Sequence, residues 1–265
     1  MNILLHHSRI TLLIIIFLSS SISFLKLVSC NSNFPKYPLH YIYHYCTDQY
    51  DQSENKGFHD NVGILLSDLT SKSYNSSFYN STAGNEEQDK ANGLFLCRGD
   101  IDAQVCHNCI DNAAKLLRDN CTDFQHTTIY YEECMLRYSN RSIFATKQEL
   151  PYRYWCSVNK VSDHVSDQFN QSVSKLMGWL VDTAANGNTK PLHFSTGEEN
   201  TKTGANGTSW LHGMMQCTPD ITDGDCDKCL KAAVGSYQEF CAGRMWAMIF
   251  APSCQLRYTT SPFGK

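Results

Sequence analysis

The sequence has little basic charge. It contains 22 Lys and Arg residues against 26 Asp and Glu residues, a formal net charge of −4 at pH 7. Removing residues 1–30 as a leader would take away Arg9 and Lys26 and no acidic residue, which moves the charge to about −6. Nucleic acids and anionic membranes bind clustered basic residues. The composition therefore predicts neither as a partner.

Motifs that are typical of enzymes are also missing. There is no Gly-x-Ser-x-Gly elbow, no Gly-rich phosphate loop and no His-Glu-x-x-His, and the histidines show no metal-binding spacing. The sequence has three pairs of adjacent acidic residues, Glu86/Glu87, Glu132/Glu133 and Glu198/Glu199. We interpret them as solvated charge, because neighbouring side chains in a strand point to opposite faces. We predict no catalytic residues, no metal and no other cofactor.

Long apolar runs are confined to the N-terminus. Ile10 to Leu18 is apolar except for Thr11, a weaker stretch continues to Val28, and small residues follow. This pattern is typical of a secretory signal, although the two stretches together approach the length of an uncleaved anchor. We expect cleavage after Cys30, which would leave a soluble chain with twelve cysteines and no membrane span. Cleavage after Ser29 would leave one odd thiol.

Cysteine, by contrast, is abundant, and twelve of the thirteen form two copies of one spacing. The copies are Cys46, Cys97, Cys106, Cys109, Cys121 and Cys134, then Cys156, Cys217, Cys226, Cys229, Cys241 and Cys254. The last five of each copy follow C-x8-C-x2-C-x11-C-x12-C, 120 residues apart. The chain is therefore predicted to be a tandem repeat. After a signal peptide at 1–30, we place the domains at 31–147 and 148–265.

Each copy predicts an α+β domain. Apolar residues at helical spacing predict helices over His59–Tyr74 and Asp167–Ala185, each followed by a long loop rich in Asn, Ser, Thr and Gly. A short strand then leads into the second cysteine, and a second helix opens at the C-x2-C pair. Alternating apolar residues over Thr127–Tyr138 and Met245–Tyr258 predict a hairpin. The short linker Gln148–Arg153 predicts that the two domains pack together.

The cysteines favour disulfides over a metal or redox site. A zinc ribbon would need a second C-x2-C pair, and a thioredoxin-like site would need a cytosolic setting. Cys106 should not bond Cys109, because Cβ atoms at i and i+3 of a helix lie about 5–6 Å apart and a disulfide needs about 4 Å. The spacing leaves the partners of the other cysteines open.

Other residues carry weaker signals. Six Asn-x-Ser/Thr sequons are present, and we predict glycosylation at Asn75, Asn80, Asn140, Asn170 and Asn206. Asn120 is left out because Cys121 follows it. Asn75 and Asn80, in a Ser/Asn-rich loop, are the best acceptors. Asp220, Asp223 and Asp225 are interpreted as helix-capping residues rather than a calcium loop.

Two sets of large side chains are predicted to have structural roles rather than to bind a ligand. Arg137 and Arg257 occupy equal repeat positions and are predicted to bond across each sheet. The four tryptophans are interpreted mostly as core residues, although an exposed one would suit a sugar: Trp155, Trp179, Trp210 and Trp246.

Tandem C-x8-C-x2-C behind a signal peptide resembles the plant cysteine-rich repeat secretory proteins, whose unit is the ginkbilobin-homologous, or stress-antifungal, domain. Short sequence motifs at residues 94–100, 134–142 and 254–258 are also similar to those of the family, and the resemblance covers residues 37–262. It implies two helices on a five-stranded antiparallel sheet. It also implies the pairs Cys46–Cys121, Cys97–Cys106, Cys109–Cys134, Cys156–Cys241, Cys217–Cys226 and Cys229–Cys254.

The resemblance also bears on ligands. The founder of the family binds mannose through an Asn, an Arg and a Glu. The aligned positions here are Thr47, Thr128 and Ser139 in the first domain and Ser157, Met248 and Thr259 in the second, so that none of the six matches. The ligand-binding residues are therefore unknown.

The resemblance implies a secreted, non-enzymatic protein of the plant apoplast in defence or stress response. Its partner would be a carbohydrate, which makes the protein lectin-like or antifungal, or an extracellular protein. In the second case it would be an interaction module that pairs with receptor ectodomains of the same family, because the same tandem forms the outside of cysteine-rich receptor-like kinases.

Overall fold

The computed structural model describes residues 39–50, 56–204 and 207–263. The predicted signal peptide, Cys30 and Asn206 lie outside these residues. Within them, the chain folds as two successive α+β domains with the same order of elements.

The first domain has two helices and five strands. They are β1 (Tyr41–Gln49), α1 (Lys56–Lys72), β2 (Phe78–Ala83), β3 (Ala91–Cys97), α2 (Ala103–Asn120), β4 (Phe124–Tyr131) and β5 (Cys134–Ser139). The sheet is antiparallel with strand order β1-β4-β5-β3-β2.

The second domain repeats this arrangement. Its elements are β6 (Arg153–Cys156), α3 (Ser166–Ala184), β7 (Phe194–Gly204), β8 (Gly207–Cys217), α4 (Asp223–Phe240), β9 (Trp246–Phe250) and β10 (Cys254–Thr259). The strand order is β6-β9-β10-β8-β7. The predicted fold class, with two helices on a five-stranded antiparallel sheet in each of two domains, is confirmed.

Each helix pair covers one face of its sheet. On α1 the apolar stripe of the sequence is buried, with Phe58, Val62, Leu65, Leu66 and Leu69 nearly inaccessible to solvent. Full burial of such a side chain is worth about 1.5–3 kcal/mol. The helices therefore form through packing on the sheet more than through intrinsic propensity.

Side chains cap the two helices that open at the C-x2-C pairs. Asp102 accepts a hydrogen bond from the backbone N–H of Val105 at the start of α2. At the start of α4, Thr222 accepts from the N–H of Asp225 at 3.1 Å. The predicted capping by Asp220, Asp223 and Asp225 is therefore wrong, because a threonine occupies the cap position.

Six disulfides join the helices and strands. The pairs are Cys46–Cys121, Cys97–Cys106, Cys109–Cys134, Cys156–Cys241, Cys217–Cys226 and Cys229–Cys254. Cys106 and Cys109 lie three residues apart on α2 and take different partners on β3 and β5. The bridges thus anchor α2 and α4 to two strands of their sheets and to the strand that carries the first cysteine.

The predicted loops before β3 and β8 are wrong in part. Much of each loop is a strand, β2 in the first domain and β7 in the second. Both lie at the edge of a sheet and pair on one side only. Their many Asn, Ser, Thr and Gly residues hide the alternation that marks a half-buried strand. The hairpin β7–β8 has 11 residues in each strand, against 6 and 7 in β2 and β3.

The domains pack together, as the short linker predicts. Residues from the sheet faces opposite the helices and Ile143, from the segment after β5, form one apolar cluster that also contains Leu94, Leu96, Tyr130, Met135 and Phe250. The side-chain amide of Gln216 donates to the carbonyl of Cys97 at 3.0 Å, and the N–H of Ala145 donates to the Asp220 carboxylate at 2.8 Å. The interface therefore combines apolar burial with directed polar contacts.

Two arginines at equal repeat positions cross this interface in opposite directions. Arg137 of the first domain donates to the carbonyl of Pro252 at 3.2 Å, and Arg257 of the second donates to the carbonyl of Tyr131 at 3.3 Å. The prediction that they bond across their own sheets is wrong. The sheet faces that carry them meet between the domains, so the nearest acceptors belong to the other copy.

Candidate functional site

An open cleft lies beside the outer face of the first sheet, the face opposite the helices. Its volume is about 610 Å³, within the range of small-molecule sites. Strands β1, β4 and β5 form its floor, and the segment after β5, residues 141–151, forms its wall together with Pro252. The wall exists because the linker to the second domain runs back over the sheet.

The strand register brings three of the six aligned positions together in this cleft. Thr47 on β1 pairs with His126 on β4, which pairs with Ser139 on β5. Thr128 lies two residues along β4 and therefore faces the same side. Thr47, Thr128 and Ser139, the positions that align with the mannose contacts of the family founder, all line the cleft.

His126 lies at the centre of a polar chain. Its Nδ1 is 2.8 Å from the hydroxyl of Ser139, and its Nε2 is 3.3 Å from a carboxylate oxygen of Asp48. Burial lowers the pKa of His126. The negative charge of Asp48 partly opposes this shift, and the positive charges of Arg141 and Arg137 reinforce it. The ring is therefore mainly neutral at pH 7 and gains a proton only under acidic conditions.

Arg137 fixes the wall of the cleft. One guanidinium nitrogen donates to the carbonyl of Pro252, and another donates to the side-chain oxygen of Gln148. Burial lowers the pKa of Arg137, although the group remains charged at neutral pH. Its contacts position the linker against the sheet, so the cleft depends on both domains.

The rim carries further charge. Arg141 is exposed and lines the cleft, and Lys147 forms an ion pair with Glu149. Sequence reasoning missed His126, Arg141 and Lys147 as site residues. A comparison of the two copies could have identified His126 and Arg141, because the second copy has Trp246 and Ser261 at the equivalent positions.

The corresponding face of the second domain differs. Ser157 is buried, and Met248 packs against the apolar cluster between the domains. Thr259 is partly buried at the end of β10, where it pairs with Trp246. The aligned residues therefore serve packing more than recognition, and the two copies are not equivalent as sites.

The predicted glycosylation sites differ in accessibility. Asn75 is exposed in the turn after α1, whereas Asn80 is partly buried in β2 rather than in a loop. Asn140 donates to Gln125 at 2.7 Å. The side-chain oxygen of Asn170, on α3, accepts from the N–H of Gly243 at 2.9 Å. Asn75 is the most open of these four.

Two interpretations of side-chain burial are wrong. Trp179 and Trp210 are each 53% exposed and Trp246 is 37% exposed, so most of the tryptophans are not core residues. Their positions follow from topology, which places them beside edge strands or beyond the domain interface. Glu133 is buried rather than solvated, because its carboxylate accepts from the backbone and ring of His40.

One group of three side chains in the described part of the chain has the spacing of a metal site, His44, Cys46 and Cys121. Cys46 and Cys121 are joined in a disulfide, so neither sulfur is available as a thiolate ligand. No helix among residues 39–50, 56–204 and 207–263 is long and apolar enough to cross a membrane.

The fold defines a tandem of disulfide-stapled α+β domains. The chain belongs to the Salt stress response/antifungal family, which matches residues 45–141 and 155–261. Cysteine-rich repeat secretory protein 1 of Arabidopsis thaliana is 32% identical over 219 residues, which cover 82% of this chain and 62% of that protein. Antimicrobial ginkbilobin-2-like protein of Castanea crenata is 32% identical over 222 residues, 84% of this chain and 88% of that protein.

Larger proteins share the tandem. Cysteine-rich receptor-like protein kinase 25 of Arabidopsis thaliana is 32% identical over 226 residues, but these cover 84% of this chain and only 32% of the kinase. The tandem DUF26 ectodomain of the Arabidopsis thaliana cysteine-rich receptor-like protein PDLP8 superposes with a TM-score of 0.68 at 23% identity, over 84% of this chain and 99% of that one. This likeness shows the fold.

Proposed function

We propose that the protein is a secreted, non-enzymatic binding protein of the plant apoplast that acts in defence or stress response by recognising a carbohydrate in the cleft of its first domain. The observation that carries the proposal is the cleft itself. Hydroxyl, phenol, amide and guanidinium groups converge there from three strands and the linker. Such a set of donors and acceptors suits the hydroxyls of a sugar.

Three further features support the proposal. The family is named for salt stress response and antifungal action, and one relative is named a secretory protein and another antimicrobial. Six disulfides are typical of proteins that fold in an oxidising compartment. The sequons at Asn75, Asn80, Asn140, Asn170 and Asn206 are proposed glycan acceptors, and Asn75 is the most accessible of the four that the structure describes. The proposed domain limits remain 31–147 and 148–265, after removal of residues 1–30.

A glycan array of plant and fungal wall oligosaccharides tests this function. Thr47 is exposed at the floor of the cleft, so Thr47→Trp should fill the site without disturbing the core. Thr183→Trp, at a partly exposed position on α3 in the second domain, is the control. We expect binding by the wild type and by Thr183→Trp and none by Thr47→Trp. Absence of any bound glycan would contradict the carbohydrate proposal.

A second candidate function is pairing with a receptor ectodomain of the same family. A specific surface favours it. Tyr154 on edge strand β6 stacks on Phe240 with ring centroids 4.6 Å apart, and these rings are 43% and 36% exposed beside Leu150, which is 71% exposed. Exposed apolar groups of this kind are typical of protein interfaces. Tyr154→Ser should abolish capture of a tandem ectodomain in a pull-down and leave glycan binding unchanged.

A further inference from the structure

The charge of the cleft differs in sign from that of the whole chain. Arg137, Arg141 and Lys147 line it against the carboxylate of Glu149, which gives a formal charge of +2 with His126 neutral. Asp48, whose carboxylate lies 3.3 Å from His126 Nε2, lowers this charge to +1. The chain as a whole carries −4. A concave site with a local excess of one sign attracts ligands of the opposite sign, because low-dielectric walls focus the field.

The cations differ in what they can offer a ligand. Arg137 is buried and occupied by Pro252 and Gln148, so it contributes mainly its field. Lys147 already forms an ion pair with Glu149. The exposed guanidinium of Arg141 lies at the rim, and its backbone N–H donates to the Ser139 hydroxyl at 2.9 Å. A planar guanidinium in this position can bind a carboxylate through two parallel hydrogen bonds.

Neutral polar groups surround these cations. Thr47, Thr128, Ser139 and Ser142 present hydroxyls on the floor and wall, and Tyr45 adds a phenol that accepts from Thr128 at 3.1 Å. A bare inorganic anion would not use them. A ligand that carries both hydroxyls and a carboxylate would use the whole set.

We infer that the first-domain cleft binds an acidic saccharide, one whose sugar units bear carboxylates, with Arg141 as the residue that receives the carboxylate. This inference rests on the proposed function and names its ligand class. The second domain has no cation at the position of Arg141, where Ser261 stands.

Two ligands of similar shape, one charged and one neutral, distinguish recognition of the carboxylate from recognition of the sugar. The full chain is titrated by calorimetry with an α-1,4-linked galacturonate trimer and with the same trimer fully methyl-esterified. We expect the acid to bind roughly tenfold more tightly than the ester, which corresponds to one charge-assisted contact. Added sodium sulfate at matched ionic strength should not displace the trimer.

The Arg141→Gln variant tests whether Arg141 receives the carboxylate. The Arg141 side chain is exposed, so the variant should fold, which its circular dichroism checks. We expect it to lose the preference for the acid over the ester. Arg118→Gln on α2, where the Arg118 guanidinium donates to the Ser67 hydroxyl at 3.2 Å, removes the same charge elsewhere and should retain the preference.

The outcomes separate the two proposals. Equal affinity for acid and ester would overturn the acidic ligand and leave carbohydrate binding intact. Binding of neither trimer, together with an empty glycan array, would overturn both. Displacement by sulfate, or an unchanged preference in Arg141→Gln, would show that the cleft holds simple anions or that another residue receives the carboxylate, and would overturn the inference as stated.

Discussion

At the scale of single residues, His126 connects the protonation state of the cleft to its ligand. Its ring contacts Ser139 and Asp48 and lies in the electrostatic field of Arg141 and Arg137. Burial holds the pKa of His126 below its ordinary value, so the charge appears only as the pH falls below about 6.5. Neutral His126 contributes folding stability above that pH, and this contribution is lost as the pH falls through the folded-state pKa.

This titration predicts pH-dependent binding. Between pH 7.5 and 5, protonation adds a positive charge to the cleft while the carboxylates of the galacturonate trimer stay ionised, because they titrate near pH 4. We therefore expect affinity to increase about threefold to tenfold over this interval. His126→Gln should bind with an affinity that is flat over the same interval. An equal pH response in this variant would assign the effect to another group.

Mannose should bind weakly at best. The three aligned positions in the cleft are Thr47, Thr128 and Ser139, which offer neutral hydroxyls where the family founder has an amide, a guanidinium and a carboxylate. Exchanging a charged contact for a neutral one costs about 1 kcal/mol or more. We expect no affinity stronger than millimolar by calorimetry. A micromolar constant would place mannose at a different site.

At the scale of elements, the disulfides predict a ranking of stability. Cys46–Cys121 closes 75 residues, including α1 and the strands β2 and β3, whereas Cys97–Cys106 closes only nine. On the chain-entropy model the long bridge is worth roughly 4 kcal/mol and the short one about 1–2 kcal/mol less. We expect replacement of the long pair by serine to lower the unfolding midpoint more. The pairs Cys156–Cys241 and Cys217–Cys226 repeat the comparison in the second domain, and a reversed order in both domains would count against loop entropy.

The elements also show what sequence patterns can and cannot predict. The helices and hairpins follow from apolar periodicity, because their buried faces must repeat every 3.6 or 2 residues. Strands β2 and β7 escape this reasoning, since an edge strand with polar residues lacks a clear pattern. The disulfide partners came from the family resemblance, because helix geometry excludes only the Cys106–Cys109 pair.

At the scale of the whole molecule, the domain interface determines the site. Gln148 and Pro252 can form the wall of the cleft only because the second domain packs on the first. The sequence predicts that the domains pack, from the short linker, but not which faces meet. That choice depends on the three-dimensional fit of two sheet faces, which no local pattern records, and the cleft was missed for the same reason.

Substitution of Arg257 tests how much the domain interface contributes to the stability of the protein. It is fully buried, donates to Tyr131 of the other domain and to Gln255, and lies 4.8 Å from the Phe250 ring centroid. Burial lowers the pKa of Arg257 to about 10, so it stays charged at neutral pH. We expect Arg257→Ala to reduce the free energy of unfolding by about 2–3 kcal/mol in urea titrations. Arg118→Ala at the surface should change it by less than about 0.5 kcal/mol.

The most direct test of the account is the number and place of ligand sites on the full chain. Calorimetry with the galacturonate trimer should give one site per chain. Binding should be lost in Thr47→Trp and retained in Thr183→Trp. Two equivalent sites, or one site that survives Thr47→Trp, would contradict the claim that the cleft of the first domain is where this protein recognises its ligand.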